Sequence, residues 1–309
     1  MGRVLSLFFM ALLTVTATSC SIRKMAINKI GDALASGGSV YESDEDLELV
    51  AGALPFSLKL VESLLAEAPK HKGLLLTASQ GFASYAYLDV QPKVDAATDF
   101  DTRVKVRARI RRLYLRGFNY GMAALELAHP GFSAELVRGP REAVAVLKKD
   151  EVPLIYWTAA NLGLAISSSR DDVALLARLP EVDAMLSRAL ELDSTWRKGA
   201  LHEFAIILAG AKPGELDVTR IQTHYKQALD LSKGQNANLY VALAEAQAVQ
   251  QQDSAAFTKL LEQALAVDPD SDKETRLMNL AAQRRARWLL ERKEELILSS
   301  DSSENGGKP

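Results

Sequence analysis

The sequence predicts an all-α protein of antiparallel helical hairpins, about 12 helices arranged as a bundle or superhelix. Three observations predict it. Apolar residues recur at helical spacing along nearly the whole chain, and no alternating strand of more than a few residues interrupts them. Breakers such as Gly37-Gly38, Pro69, His129-Pro130-Gly131 and Lys212-Pro213-Gly214 sit between the periodic runs. A short Ala-Leu motif returns three times in the C-terminal half.

The first element is a leader, residues 1–19. Arg3 supplies a positive start, and Val4–Thr16 is an apolar run of signal-peptide length, too short to span a bilayer as a helix. Ala17-Thr18-Ser19 lead into Cys20, the single cysteine of 309 residues. Small residues before a cysteine, directly after such a run, resemble a bacterial lipobox, with Ala17 where leucine is usual. The pattern implies diacylglyceryl transfer to the Cys20 thiol, cleavage before Cys20 and acylation of the new amine. Two or more acyl chains give durable anchoring. Ser21 stands where an aspartate would retain such a lipoprotein in the inner membrane, which favours the outer membrane, facing the periplasm. An ordinary signal peptide beside a chance cysteine is the competing reading.

Residues 20–43 then read as a lipid-anchored tether with a short helix, 44–298 as an all-helical domain, and 299–309 as a polar, disordered tail. Helices are expected at 22–36, 44–67, 71–89, 101–129, 140–148, 152–169, 173–192, 196–210, 215–232, 236–251, 254–267 and 273–298. Breakers such as Pro69, Pro92, His129-Pro130-Gly131, Gly139-Pro140 and Lys212-Pro213-Gly214 separate them. Ser43 and Asp46 form a candidate capping box. Ala189-Leu190, Ala228-Leu229 and Ala264-Leu265 recur at spacings slightly above the roughly 34 residues of a tetratricopeptide repeat (TPR), and Pro269 ends the last copy. A small residue at that position lets paired helices approach closely. Stacked hairpins of this kind present concave faces to partners or ligands.

Composition excludes several functions. Lys+Arg number 37 and Asp+Glu 39, so the net charge is −2, and nucleic acid is not an expected partner. One cysteine permits neither a disulfide framework nor a Cys-rich zinc site. His71, His129, His202 and His224 show no metal-ligand spacing; His202-Glu203 begins like H-E-x-x-H, but Ile206 stands at the second ligand position. No G-x-S-x-G, P-loop or G-x-G-x-x-G is present. The reading is therefore a non-enzyme with no metal and no cofactor beyond the lipid on Cys20.

Two clusters remain. Lys105, Arg109, Arg112 and Arg116 form a helical stripe in a stretch without acids, either a docking face for an acidic partner or anion, or a solvated face paired with neighbouring acids. Phe82, Tyr85 and Tyr87, then Tyr114, Phe118 and Tyr120, then Tyr156, Trp157 and Asn161 occupy three helices. Aromatic side chains with polar tips suit a ligand cavity, and they equally suit a packed helical core. Gly81, Gly117 and Gly121 in the same helices mark either close helix contact or room for a cavity.

The runs Leu74–Leu88, Arg107–Glu126, Ile155–Ile166, Gly199–Phe204, His224–Ser232 and Asn279–Glu291 together resemble the T component of TRAP (tripartite ATP-independent periplasmic) transporters, over about residues 44–298. The third run lacks a second tryptophan near Asn161 or Leu162 that the family would suggest. The resemblance implies a periplasm-facing lipoprotein that binds the substrate-binding P component. It implies homo-oligomers, namely trimers, with a cavity in each subunit for a small apolar or organic-acid ligand. Membrane contact would be through the lipid alone. A TPR scaffold for envelope protein–protein interactions, without ligand transport, is the alternative.

The lipobox makes a direct prediction. A Cys20→Ala variant should lose all incorporation of labelled fatty acid in cells, and continued labelling would rule out lipidation at this residue.

Overall fold

Asp side chains start four of the longer helices of this protein. Asp46, Asp99, Asp217 and Asp253 accept the Leu49, Thr102, Arg220 and Ala256 backbone N–H groups at 2.8–3.0 Å, satisfying donors that a helix start leaves free. Asp46 is thus itself the cap, and Ser43 instead donates to the Val40 carbonyl. The computed structural model describes residues 25–36, 38–169 and 171–298, and every regular element in them is helical. The leader 1–19, Cys20 and the tail 299–309 lie outside the described residues.

Helix α1 covers 25–36, and a short helical turn, Gly38–Glu42, follows it. The longer helices are α2 (Leu47–Glu67), α3 (Lys72–Tyr85), α4 (Phe100–Ala128), α5 (Val152–Ser167), α6 (Leu179–Asp193), α7 (Ala200–Ala211), α8 (Val218–Ser232), α9 (Ala237–Leu243), α10 (Ser254–Ala266) and α11 (Arg276–Glu291). Sequential helices pack as neighbours: α3 on α4, α4 on α5, α5 on α6, α7 on α8, and α9 with both α10 and α11. By length and composition α2 could cross a membrane. It instead buries Leu47, Val50, Leu54, Leu58, Val61 and Leu65 against its neighbours.

Three breaks differ from the sequence expectation, each for a tertiary reason. Pro92 does not end its helix. A π turn at Ala86–Val90 carries α3 onward into Gln91–Asp95. Proline lacks the N–H that would bond the carbonyl four residues back. That carbonyl, Leu88 O, accepts from Arg284 of α11 at 2.7 Å instead. After His129-Pro130-Gly131, an unforeseen helix runs Phe132–Arg138. Glu126 of α4 caps it by accepting the Gly131 and Ser133 N–H groups at 2.6 and 2.9 Å. Finally, α7 starts at Ala200 rather than 196, because Arg197, Lys198 and Gly199 are all left-handed, with φ of 44°, 55° and 99°.

At the centre, α3, α4 and α5 approach where side chains are smallest. Asn161 of α5 donates to Ser79 O of α3 at 2.9 Å, and Gly117 of α4 lies against its side chain. A Cβ on Gly117 would sit 2.5 Å from Asn161 Oδ1. A Cβ on Gly121 would overlap Thr158 Oγ1, with Ser79 Oγ at 3.1 Å. Ser79, Thr158 and Asn161 are all fully buried. These glycines therefore mark close helix contact. The repeated alanines behave alike: Ala189, Ala228 and Ala264 are buried to within 1%. Around this centre the largest apolar cluster joins Leu125, Phe132, Leu136, Ile155, Leu162 and Met185.

Gly117→Ala and Gly121→Ala should each lower stability by about 1–3 kcal/mol, because overpacking outweighs the gain in helix propensity of roughly 1 kcal/mol. Gly52 is exposed on α2 with nothing near its missing Cβ. Gly52→Ala should therefore raise stability, by up to about 1 kcal/mol. Urea unfolding of the three variants reads both signs.

Candidate functional site

A cavity of about 220 Å³ opens between the N-terminal helices and the C-terminal half. Its apolar wall includes Val50, Leu54 and Leu58 of α2, Leu88 after α3, and Leu277 and Met278 of α11. Tyr156 and Trp157 of α5 face it, with ring centroids 4.9 Å apart in an edge-to-face pair. Leu34 and Ala35 of α1, with Tyr41 and Glu42 of the short turn, close one side. Tyr41 and Ser57 hydroxyls lie 2.7 Å apart and tie that turn to α2.

The polar wall is built by helix starts. Glu203 sits in the first turn of α7. Its Oε2 and Oε1 accept the side-chain amides of Asn236 and Asn238 at 2.6 and 2.5 Å. Asn236 is also the N-cap of α9, and its Oδ1 accepts from Leu239 N at 3.2 Å. Tyr87 donates to Asn238 Oδ1 at 3.2 Å. Burial pushes the Glu203 carboxyl above its ordinary range, against the two amide donors that lower it. Arg197 pairs with Glu42 at 2.6 Å across the opening. Lys198 pairs with Asp272, so the two left-handed residues that carry side chains are held by ion pairs. Such backbone conformations cost about 1–3 kcal/mol each and persist where surrounding contacts impose them.

The aromatic residues divide. Of the nine cavity candidates, Tyr156 and Trp157 lie on this wall. Phe82, Tyr85, Tyr114 and Phe118 are buried in the helix packing. Phe82 stacks on Tyr120 at 5.8 Å, and the Tyr120 hydroxyl donates to Glu62 at 2.8 Å. Asn161 belongs to the α3–α5 contact. Tyr87 lines a smaller pocket of about 120 Å³ with Asp95, Arg285 and Trp288. The basic stripe divides too. Arg109 donates to the Tyr85 hydroxyl at 2.7 Å, and Arg116 pairs with Glu62 over the Phe82 ring. Lys105 and Arg112 are exposed, with no ion-pair partner among the described residues. Glu203, Asn236, Asn238, Arg197 and Glu42 were not foreseen. Only the His202-Glu203 dipeptide drew attention to one of them, for a different chemistry.

Among the described residues no cluster could hold a metal ion. His202 and His224 instead face each other, Nδ1 to Nδ1, at 2.9 Å. Burial lowers both, and His202 and Arg220 help to bring His224 down to about 4. The unfolded chain would bind protons from the ordinary value of 6.5 downward, while the folded pair resists them. Stability should therefore fall as pH drops from 6.5 toward about 5, above the main carboxylate range. His224→Leu should flatten this slope in thermal unfolding.

Comparison with known proteins follows the same bounds as the helical body. The family model described as TRAP transporter T-component matches residues 43–297. An uncharacterized protein of Treponema pallidum (strain Nichols) is 26% identical over 292 residues, covering 87% of this chain and 90% of that one. The family match spans most of the chain, including every long helix except α1. The chain belongs to the TRAP transporter T-component family and is an accessory component of such a transporter.

Proposed function

We propose that this protein is a lipoprotein of the outer membrane, anchored through Cys20 and facing the periplasm. In this reading it binds the substrate-binding P component and holds or passes a small, largely apolar ligand. The observation that carries it is the cavity of about 220 Å³ within a chain of this transporter family. Its wall draws on residues from Leu34 to Asn279, so it is a product of the whole fold. Concave, mainly apolar cavities with a few convergent polar groups are the usual form of a ligand site.

Contact with other proteins has its own support. On α2, Leu49, Phe56 and Leu60 are 62%, 75% and 38% exposed and share one helix face. An apolar row of this kind on the surface suits a P component or the neighbouring subunit of a homotrimer. Lys105 and Arg112 offer a further, cationic surface. A TPR-type envelope scaffold remains the second reading. The buried Ala189, Ala228 and Ala264 at the hairpin contacts favour it.

Affinity capture separates the two. The protein should retain a TRAP P component from the same cells, and organic extraction should release a small molecule. Ser84 also lines the cavity, and Ser84→Trp, which would fill it, should abolish the released molecule while capture of the P component persists. Failure to capture any P component sinks the transport reading. An empty wild-type extract with intact capture favours the scaffold.

A further inference from the structure

The cavity wall is lopsided in charge. Its charged members are Glu42, Glu203, Glu274 and Arg197. Arg197 is already engaged by Glu42. Glu274 lies 3.8 Å from Lys198, whose closer partner is Asp272. Glu203 has no cationic partner among the described residues, and both of its hydrogen bonds come from neutral amides.

Those amides are oriented from behind. Asn236 turns its oxygen to the N–H groups of α9, and Asn238 turns its oxygen to the Tyr87 hydroxyl. Their N–H groups are therefore left to face Glu203, as an acceptor requires. A carboxylate has about four acceptor positions, and two amides fill half of them. Burial makes an unpaired charge at Glu203 costly, which is why its carboxyl titrates high. An anionic head group would add a second negative charge in the same low-dielectric space. A protonated amine would supply both the missing counter-charge and further N–H donors. The rings of Tyr156 and Trp157, which line the same cavity, favour a cation as well.

We propose that the cavity takes an amphiphile with a protonated amine head. The head sits on Glu203, between Asn236 and Asn238. The apolar body lies against Leu54, Leu58, Leu88 and Leu277. This rests on the reading of the cavity as a ligand site and specifies the head group.

Titration calorimetry of the purified chain with octylammonium, octanoate and 1-octanol tests it, since the three share one apolar body. Octylammonium should bind at least about tenfold tighter than the other two, the lower end for a desolvated charge pair. Glu203→Gln should bring octylammonium down to the level of octanol and leave octanol unchanged. Octanoate binding as tightly as the amine would overturn the assignment while leaving the ligand cavity in place. An amine affinity unchanged in folded Glu203→Gln would do the same. Should that variant not fold, the order of the three ligands on the wild type decides alone. If none of the three binds the wild type, the head-group assignment and the cavity reading both fall.

Discussion

Much of this architecture depends on one close contact, where α3, α4 and α5 meet at Ser79, Gly117, Gly121, Thr158 and Asn161. No Cβ fits on either glycine without displacing a buried polar side chain. The Asn161 amide spans from α5 to the α3 backbone in the space this leaves. Close packing has no slack for even one methyl group, so this contact sets the spacing of the three central helices. Their outer faces then decide what lies beyond. One side packs into the core around Leu125, Ile155 and Met185. On another, Leu88 and Trp157 are left facing α2 and α11 across the cavity.

Polar devices hold the edges of the cavity beside its apolar wall. Arg197 and Lys198 hold left-handed conformations at the start of α7, and each is paired with an acid from a distant segment. That turn brings Glu203 into position opposite the N-cap of α9. The two asparagines then donate to a carboxylate that has no cationic partner among the described residues. The smaller pocket shows the opposite solution: Arg285 is buried between Asp95 and Glu245 at 2.8 and 2.6 Å. Burial of charge is tolerated in both places because hydrogen bonds replace water. At Arg285 the charge is also neutralised by its two acidic partners.

Legibility differed sharply between these features. The helical body was readable from periodicity and punctuation, down to the break at His129-Pro130-Gly131 and the buried alanines of the repeated hairpins. The missed helix at Phe132–Arg138 is capped by Glu126 from the preceding helix, a contact that no local pattern announces. Pro92 was misleading for a similar reason, because Arg284 from far along the chain occupies the carbonyl that proline leaves free. Aromatic clustering was a weak guide to the cavity. An aromatic ring on a helix serves packing and lining equally well, and only Tyr156 and Trp157 among the nine candidates face this cavity.

Local chemistry alone was enough to establish the helical class and the family, because both are written in neighbouring residues. The character of the cavity was not. Glu203 is an ordinary acid in the sequence, as are Asn236 and Asn238 ordinary amides. Their role depends on burial and on partners separated by tens of residues, and both arise only when the helices pack.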